Sequence, residues 1–185
     1  MWSLRPCGFK SRPGHKDMND ISLNAYVVDK YPSGEIDERV VLFTREFGKL
    51  SGFLKSGRKI NGKLSAHLQI LNKVVVRIVE KNKIQVVDAL KQRSLESERG
   101  RALTFFRLLN QLVSEGEPDL RIWDLLEKED IDIRKLLKFS GFDPEHANCA
   151  RCEIDRINYF LSSDQLFYCD KCLKEGDRNG WVFPV

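Results

Sequence analysis

The sequence predicts an α+β protein: a five-stranded barrel of the OB-fold type, then a short helical region, then a C-terminal ribbon built on four cysteines and zinc. Three observations predict it. Five short runs rich in β-branched and aromatic residues lie within residues 24–90. After Ser94 the apolar spacing changes to that of a helix. Two C-x-x-C pairs follow at residues 149–172. The expected division is a disordered tail over 1–20, the barrel over 21–93, and a helical region over 94–185 carrying the ribbon at about 146–175.

The elements follow in order. Residues 24–30 (NAYVVDK) and 39–44 (RVVLFT) read as strands separated by a turn at Pro32-Ser33-Gly34. Glu46-Phe47-Gly48 is the next turn, with Gly48 supplying positive φ. Residues 49–55 make a third strand, 56–62 a basic glycine-containing loop, and 64–71 a short helix. Residues 73–80 and 83–90 form a hairpin about Lys81-Asn82. Five short strands with an irregular segment after the third suggest a small closed barrel, of OB or SH3-like type. Leu103, Phe106, Leu109, Leu112 and Val113 then mark one helix, and 120–128 and 133–139 two more, with Gly141 as a stop.

Of 185 residues, 42% are apolar, enough for a core, and 31% are charged. No apolar run reaches the roughly 18 residues of a membrane span, and residues 1–17 lack the apolar stretch of a secretory signal. That basic stretch reads as a tail, with Met18 as an alternative start. Five cysteines without an export signal suggest a reducing cytoplasm. The net charge of +4 is unevenly spread: residues 18–95 hold fourteen Lys/Arg and eight acids, whereas residues 96–185 hold thirteen Lys/Arg and eighteen acids. Such segregation suggests a first half that binds a polyanion.

The chemistry concentrates in two places. Cys149-Ala150-Arg151-Cys152 and Cys169-Asp170-Lys171-Cys172 are separated by sixteen residues. Two residues between thiols let one knuckle turn both sulfurs to the same ion, and two knuckles joined by a hairpin complete a Cys₄ shell for structural Zn²⁺. The intervening residues suit that hairpin, with Tyr159 and Phe160 on one arm and Phe167 and Tyr168 on the other. Redox and iron–sulfur alternatives fit the spacing less well. The second place is basic: Lys55, Arg58, Lys59 and Lys63 with no intervening acid, and Lys30, Arg39, Arg45 and Lys49 on the strands and turns nearby. Phe47, Phe53 and Tyr31 are candidate stacking platforms, since single-strand binders join cationic grooves to aromatic faces. No phosphate-cradling glycine loop or nucleophile motif occurs, so binding rather than catalysis is expected.

The runs NAYVV (24–28), VLFTREFGKLSG (41–52), KSGRK (55–59) and KFSGFDP (138–144), the last leading into Cys149, together resemble the bacterial recombination mediator family RecO over roughly residues 22–175. The resemblance implies a cytoplasmic, nucleoid-associated protein of DNA recombination and repair whose OB-fold binds single- and double-stranded DNA. It implies annealing of complementary strands and, with RecR, loading of RecA onto strands coated by single-strand-binding protein. It makes Arg45, Lys49, Lys55, Arg58 and Lys59 the foremost phosphate contacts, and the charge and aromatic pattern adds Lys63, Lys30, Arg39 and Phe47 to the DNA-binding set. The four cysteines take the family's zinc positions. The helical part is shorter than the family's, which puts the contact with single-strand-binding protein in question. An RNA- or ribosome-associated protein is the alternative reading.

Overall fold

The computed structural model describes residues 20–55, 57, 63–80, 82–95, 98–173 and 180–185, with the side chain of Lys63 excepted. The expected disordered tail, up to residue 19, and most of the basic loop over 56–62 lie outside the described residues. The elements run β1 (Asp20–Ser33), β2 (Asp37–Thr44), β3 (Gly48–Leu54), α1 (Lys63–His67), β4 (Asn72–Glu80), β5 (Ile84–Ser94), α2 (Arg99–Leu112), α3 (Leu120–Glu127), α4 (Ile133–Phe139), β6 (Tyr159–Leu161), β7 (Leu166–Tyr168) and β8 (Val182–Pro184).

β1 is the spine. Its first half pairs with β4, from Asp20↔Val79 to Tyr26↔Lys73, and its second half with β2, from Ala25↔Thr44 to Ser33↔Asp37. A bulge between Val27 and Asp29 bends the strand between these partners. The five strands close into a barrel in the order β1-β2-β3-β5-β4, sealed by the parallel pair Phe53↔Gln85. Alternate residues face inward: Leu23, Ala25 and Val27 from β1, Val40 and Leu42 from β2, Leu50 and Leu54 from β3, and Val74, Val76 and Ile78 from β4. Leu68, just past α1, is buried in the same interior.

The outward faces of β1 and β2 are apolar as well. Tyr26, Val28, Val41 and Phe43 belong to a second core with Phe105, Phe106, Leu109, Ile122, Trp123 and Leu126 of the helices. The Trp123 ring meets Tyr26 edge-on at 5.4 Å, and Arg93 donates to the Tyr26 hydroxyl at 2.5 Å. Asp119 and Asp132 cap α3 and α4 by accepting from the second and third amides of each helix. The core continues into the ribbon through Phe142, Phe160 and Phe167, whose rings stand 5.1–5.3 Å apart in succession. The boundary expected near residue 93 marks a change of secondary structure, while the apolar core runs straight across it.

Gly48 locks the two halves together. Its φ is +62°, and a Cβ there would lie 2.0 Å from the Glu117 carbonyl oxygen. The backbone beside it bonds the same connector, Gly116 N–H donating to the Lys49 carbonyl at 2.9 Å. In the ribbon, β6 pairs with β7 as the sequence implies, and also with β8, which the sequence did not reveal.

Candidate metal centre and nucleic-acid interface

The two knuckles are local turns. Cys149 N–H donates to the Ile154 carbonyl and Glu153 N–H to the Cys149 carbonyl, both at 2.9 Å, with Glu153 at φ +59°. In the second knuckle the amides of Cys172 and Leu173 both donate to the Cys169 carbonyl at 3.1 Å. The β6–β7 hairpin brings the knuckles together, so that the four sulfurs lie within 4.8 Å of one another and can bind one metal ion. All four thiols are free. Cys152 Sγ stands 3.7 Å from Cys169 Sγ, far beyond the roughly 2.05 Å of a disulfide. Cys149 and Cys169 are buried, Cys152 is exposed, and Cys172 lies between. Burial works against the Cys149 thiolate, but amides of Arg151, Cys152 and Cys169 directed at its sulfur bring its pKa down to about 6. Hydrogen bonds with Cys152 and Cys169 push Cys172 up to about 12. His146 stands outside this set, beside Asp143 and Glu145, and both of those carboxylates pair with Lys138.

The basic residues are not gathered in one groove. Lys30 is mostly buried, pairing with Glu38 at 3.1 Å and donating to Ser65 Oγ at 3.0 Å. Arg39 reaches Ser51 Oγ and Glu115. Lys49 is 8% exposed and its ammonium donates to the Asn110 carbonyl at 2.6 Å. Burial, opposed by the nearby Glu115 carboxylate, holds its pKa below the usual lysine value. Phe47 packs in the barrel interior. Arg45 is exposed on the β2–β3 turn, and Lys55 is exposed beyond the other end of β3. The seven residues between those ends span about 23 Å at 3.3 Å per residue. Arg58 and Lys59 lie outside the described residues, as does the side chain of Lys63.

One cationic and aromatic surface does form. Phe53 stands on the outer face of β3, half-buried, between Arg39 on β2 and Gln85 on β5. The Lys83 ammonium lies 4.7 Å from its ring centroid. Two residues after Phe53 comes Lys55, which leads into the basic loop. Lys83 was absent from the sequence-derived set because its place beside Phe53 depends on the parallel β3–β5 closure. Alternation along β3, with Leu50 and Leu54 inward, is the signal that puts Phe53 outside.

Fold and sites together define a barrel protein carrying a cationic, aromatic outer wall and a four-cysteine ribbon. Residues 18–95 match the family model described as "Recombination protein O N terminal". Curated relatives named DNA repair protein RecO include one from Dehalococcoides mccartyi, 28% identical across 83% of this chain and 70% of the relative. Others come from Thermodesulfovibrio yellowstonii, at 24% across 89% and 74%, and Alkaliphilus metalliredigens, at 23% across 82% and 72%. Over residues 18–95 the chain is thus similar to the N-terminal part of the RecO family, and over most of its length to proteins named DNA repair protein RecO. Among the described residues no helix is long and apolar enough to cross a membrane.

Proposed function

We propose that the chain is a non-enzymatic DNA-binding factor of recombinational repair that binds single and double strands, anneals complementary strands and, with RecR, assists RecA loading. The observation that carries it is Phe53 with Lys83 against its ring, on the barrel wall that ends at Lys55, with Arg58 and Lys59 following in sequence. The half-exposed ring offers bases a stacking surface while the surrounding cations meet phosphates. The barrel is read as an OB-fold because its strand order is β1-β2-β3-β5-β4 with β1 shared by two partners and a helix between β3 and β4. The relatives' name, DNA repair protein, supports the same role. The binding surface on this reading comprises Phe53, Lys83 and Lys55, with Arg39 at its edge and Arg45 at the far turn, and Arg58, Lys59 and Lys63 are assigned to it from the sequence alone.

Zinc is the metal the cysteines suit. A tetrahedron of Zn–S bonds near 2.3 Å has edges of about 3.8 Å, against the 3.7 Å between Cys152 and Cys169. Four sulfur ligands leave no open position, so the ion would act as a structural clamp. Metal analysis of purified protein should return one zinc per chain, and Cys152→Ser should lower it.

An annealing assay tests the function: two complementary labelled oligonucleotides, with and without single-strand-binding protein and RecR. Acceleration over the spontaneous rate is expected. A matched RNA pair separates the alternative, because preferential binding of RNA with no effect on DNA annealing would replace this reading.

A further inference from the structure

We infer that Trp181 and Arg107 form a second single-strand contact, separate from the barrel wall, in which a nucleobase stacks on the open face of the indole. Trp181 is 50% exposed. Its backbone is fixed: the Trp181 carbonyl accepts from the Ser162 amide at 3.1 Å and the Ser162 hydroxyl at 3.2 Å, and Val182 pairs with Leu161. The indole itself projects from the sheet towards α2. There the Arg107 guanidinium carbon lies over one face of the ring, 3.9 Å from its centroid. Among the described residues no aromatic ring or cation packs on the opposite face, and the residue stays half exposed.

A rigid aromatic ring, backed by a planar cation and open on its far side, presents what a nucleobase needs. The base stacks, and the guanidinium donors not used against the indole reach a neighbouring phosphate. Arg99, Leu103 and Arg107 follow one another at four-residue spacing along a single face of α2, so further positive charge lies along the same line. The excess of acids over residues 96–185 opposes a long-range pull on polyanions. Affinity at this surface therefore comes from stacking, and its dependence on salt is shallower than that of the barrel wall. Trp181 belongs to the ribbon and Phe53 to the barrel, so one molecule offers two places for strands, as strand annealing requires. The inference rests on the proposed function for its class of ligand and for the two strands that annealing brings together.

The test uses the full chain loaded with zinc and a thymidine oligonucleotide carrying one 5-iodouracil. After long-wavelength irradiation, digestion and mass spectrometry, a cross-linked peptide containing Trp181 is expected. Trp181→Leu and Arg107→Gln should each weaken a second equivalent of oligonucleotide at least about fivefold, with the Phe53-dependent equivalent unchanged, and Trp181→Phe should retain binding. Absence of a Trp181 cross-link, with the Phe53-dependent equivalent intact, overturns this inference alone. Absence of all oligonucleotide binding overturns the proposed function as well. Equal loss in Trp181→Phe and Trp181→Leu, accompanied by lowered zinc content, would make Trp181 structural and also overturn it.

Discussion

Replacing Lys49 by Met separates two roles that the sequence leaves superimposed. If Lys49 touches phosphate, the variant binds DNA less well and stays as stable. The structure gives the opposite expectation. The ammonium donates to the Asn110 carbonyl at 2.6 Å, and Asn110 is among the last four residues of α2. Carbonyls there lack partners within the helix and lie at the negative end of its dipole. Lys49 thus caps α2 from the barrel side. A hydrogen bond from a charged donor contributes about 1.5–3 kcal/mol, and the partial burial that depresses the lysine pKa offsets some of it. Methionine keeps the chain of methylenes, so the loss should be about 2 kcal/mol, or about 4–8 °C in Tm for a protein of this size. Urea denaturation followed by tryptophan fluorescence reads the stability, and anisotropy of a labelled oligonucleotide reads the affinity. A variant of full stability whose binding loses salt sensitivity, by about 0.7 in the logarithmic slope for one single-strand phosphate, would refute the capping role.

Three further outcomes follow from the same contacts. Gly48→Ala forces a β-carbon into the Glu117 carbonyl at a positive φ, so it should cost about 3 kcal/mol by thermal denaturation and spread the barrel from the helices. Asp119→Ala should cost about 1 kcal/mol through loss of the α3 cap. Hydrogen bonding from Arg121 holds the Asp119 carboxyl below its ordinary pKa, so in the parent this contribution is present above about pH 4 and is lost as pH falls through the lower folded value. Zinc removal by chelation should destabilise the whole chain in one cooperative transition, because Phe160 and Phe167 share a core with Tyr26 and Phe43. Two separate calorimetric transitions, with the barrel surviving, would argue against that shared core.

The core shared by barrel and helices has a cue in the sequence. AYVV and VVLF are continuous apolar runs, and a strand apolar at every position is buried on both faces. The inward residues alone suffice to mark a barrel, whereas the outward Tyr26, Val28, Val41 and Phe43 mark the face that the helices cover. The ribbon was legible because thiol spacing is a short-range constraint. β8 was not, since three residues ending in Pro184 carry no periodicity, and their pairing with β6 is set by the fold. Among the cations, charge in the sequence did not distinguish Lys49, turned inward to a helix end, from Lys83, set against Phe53 by a single parallel bridge. Side-chain direction decides between these roles, and it follows from strand register.

The most direct test of the nucleic-acid reading is the affinity of Phe53→Ala for a single-stranded DNA oligonucleotide, measured across a salt series beside the parent chain. Loss of one stacking platform should weaken binding roughly 5- to 100-fold at every salt concentration and leave the logarithmic salt slope unchanged, since no phosphate contact is removed. Parent-like affinity in Phe53→Ala, or a parent chain that fails to bind at low salt, would contradict the account.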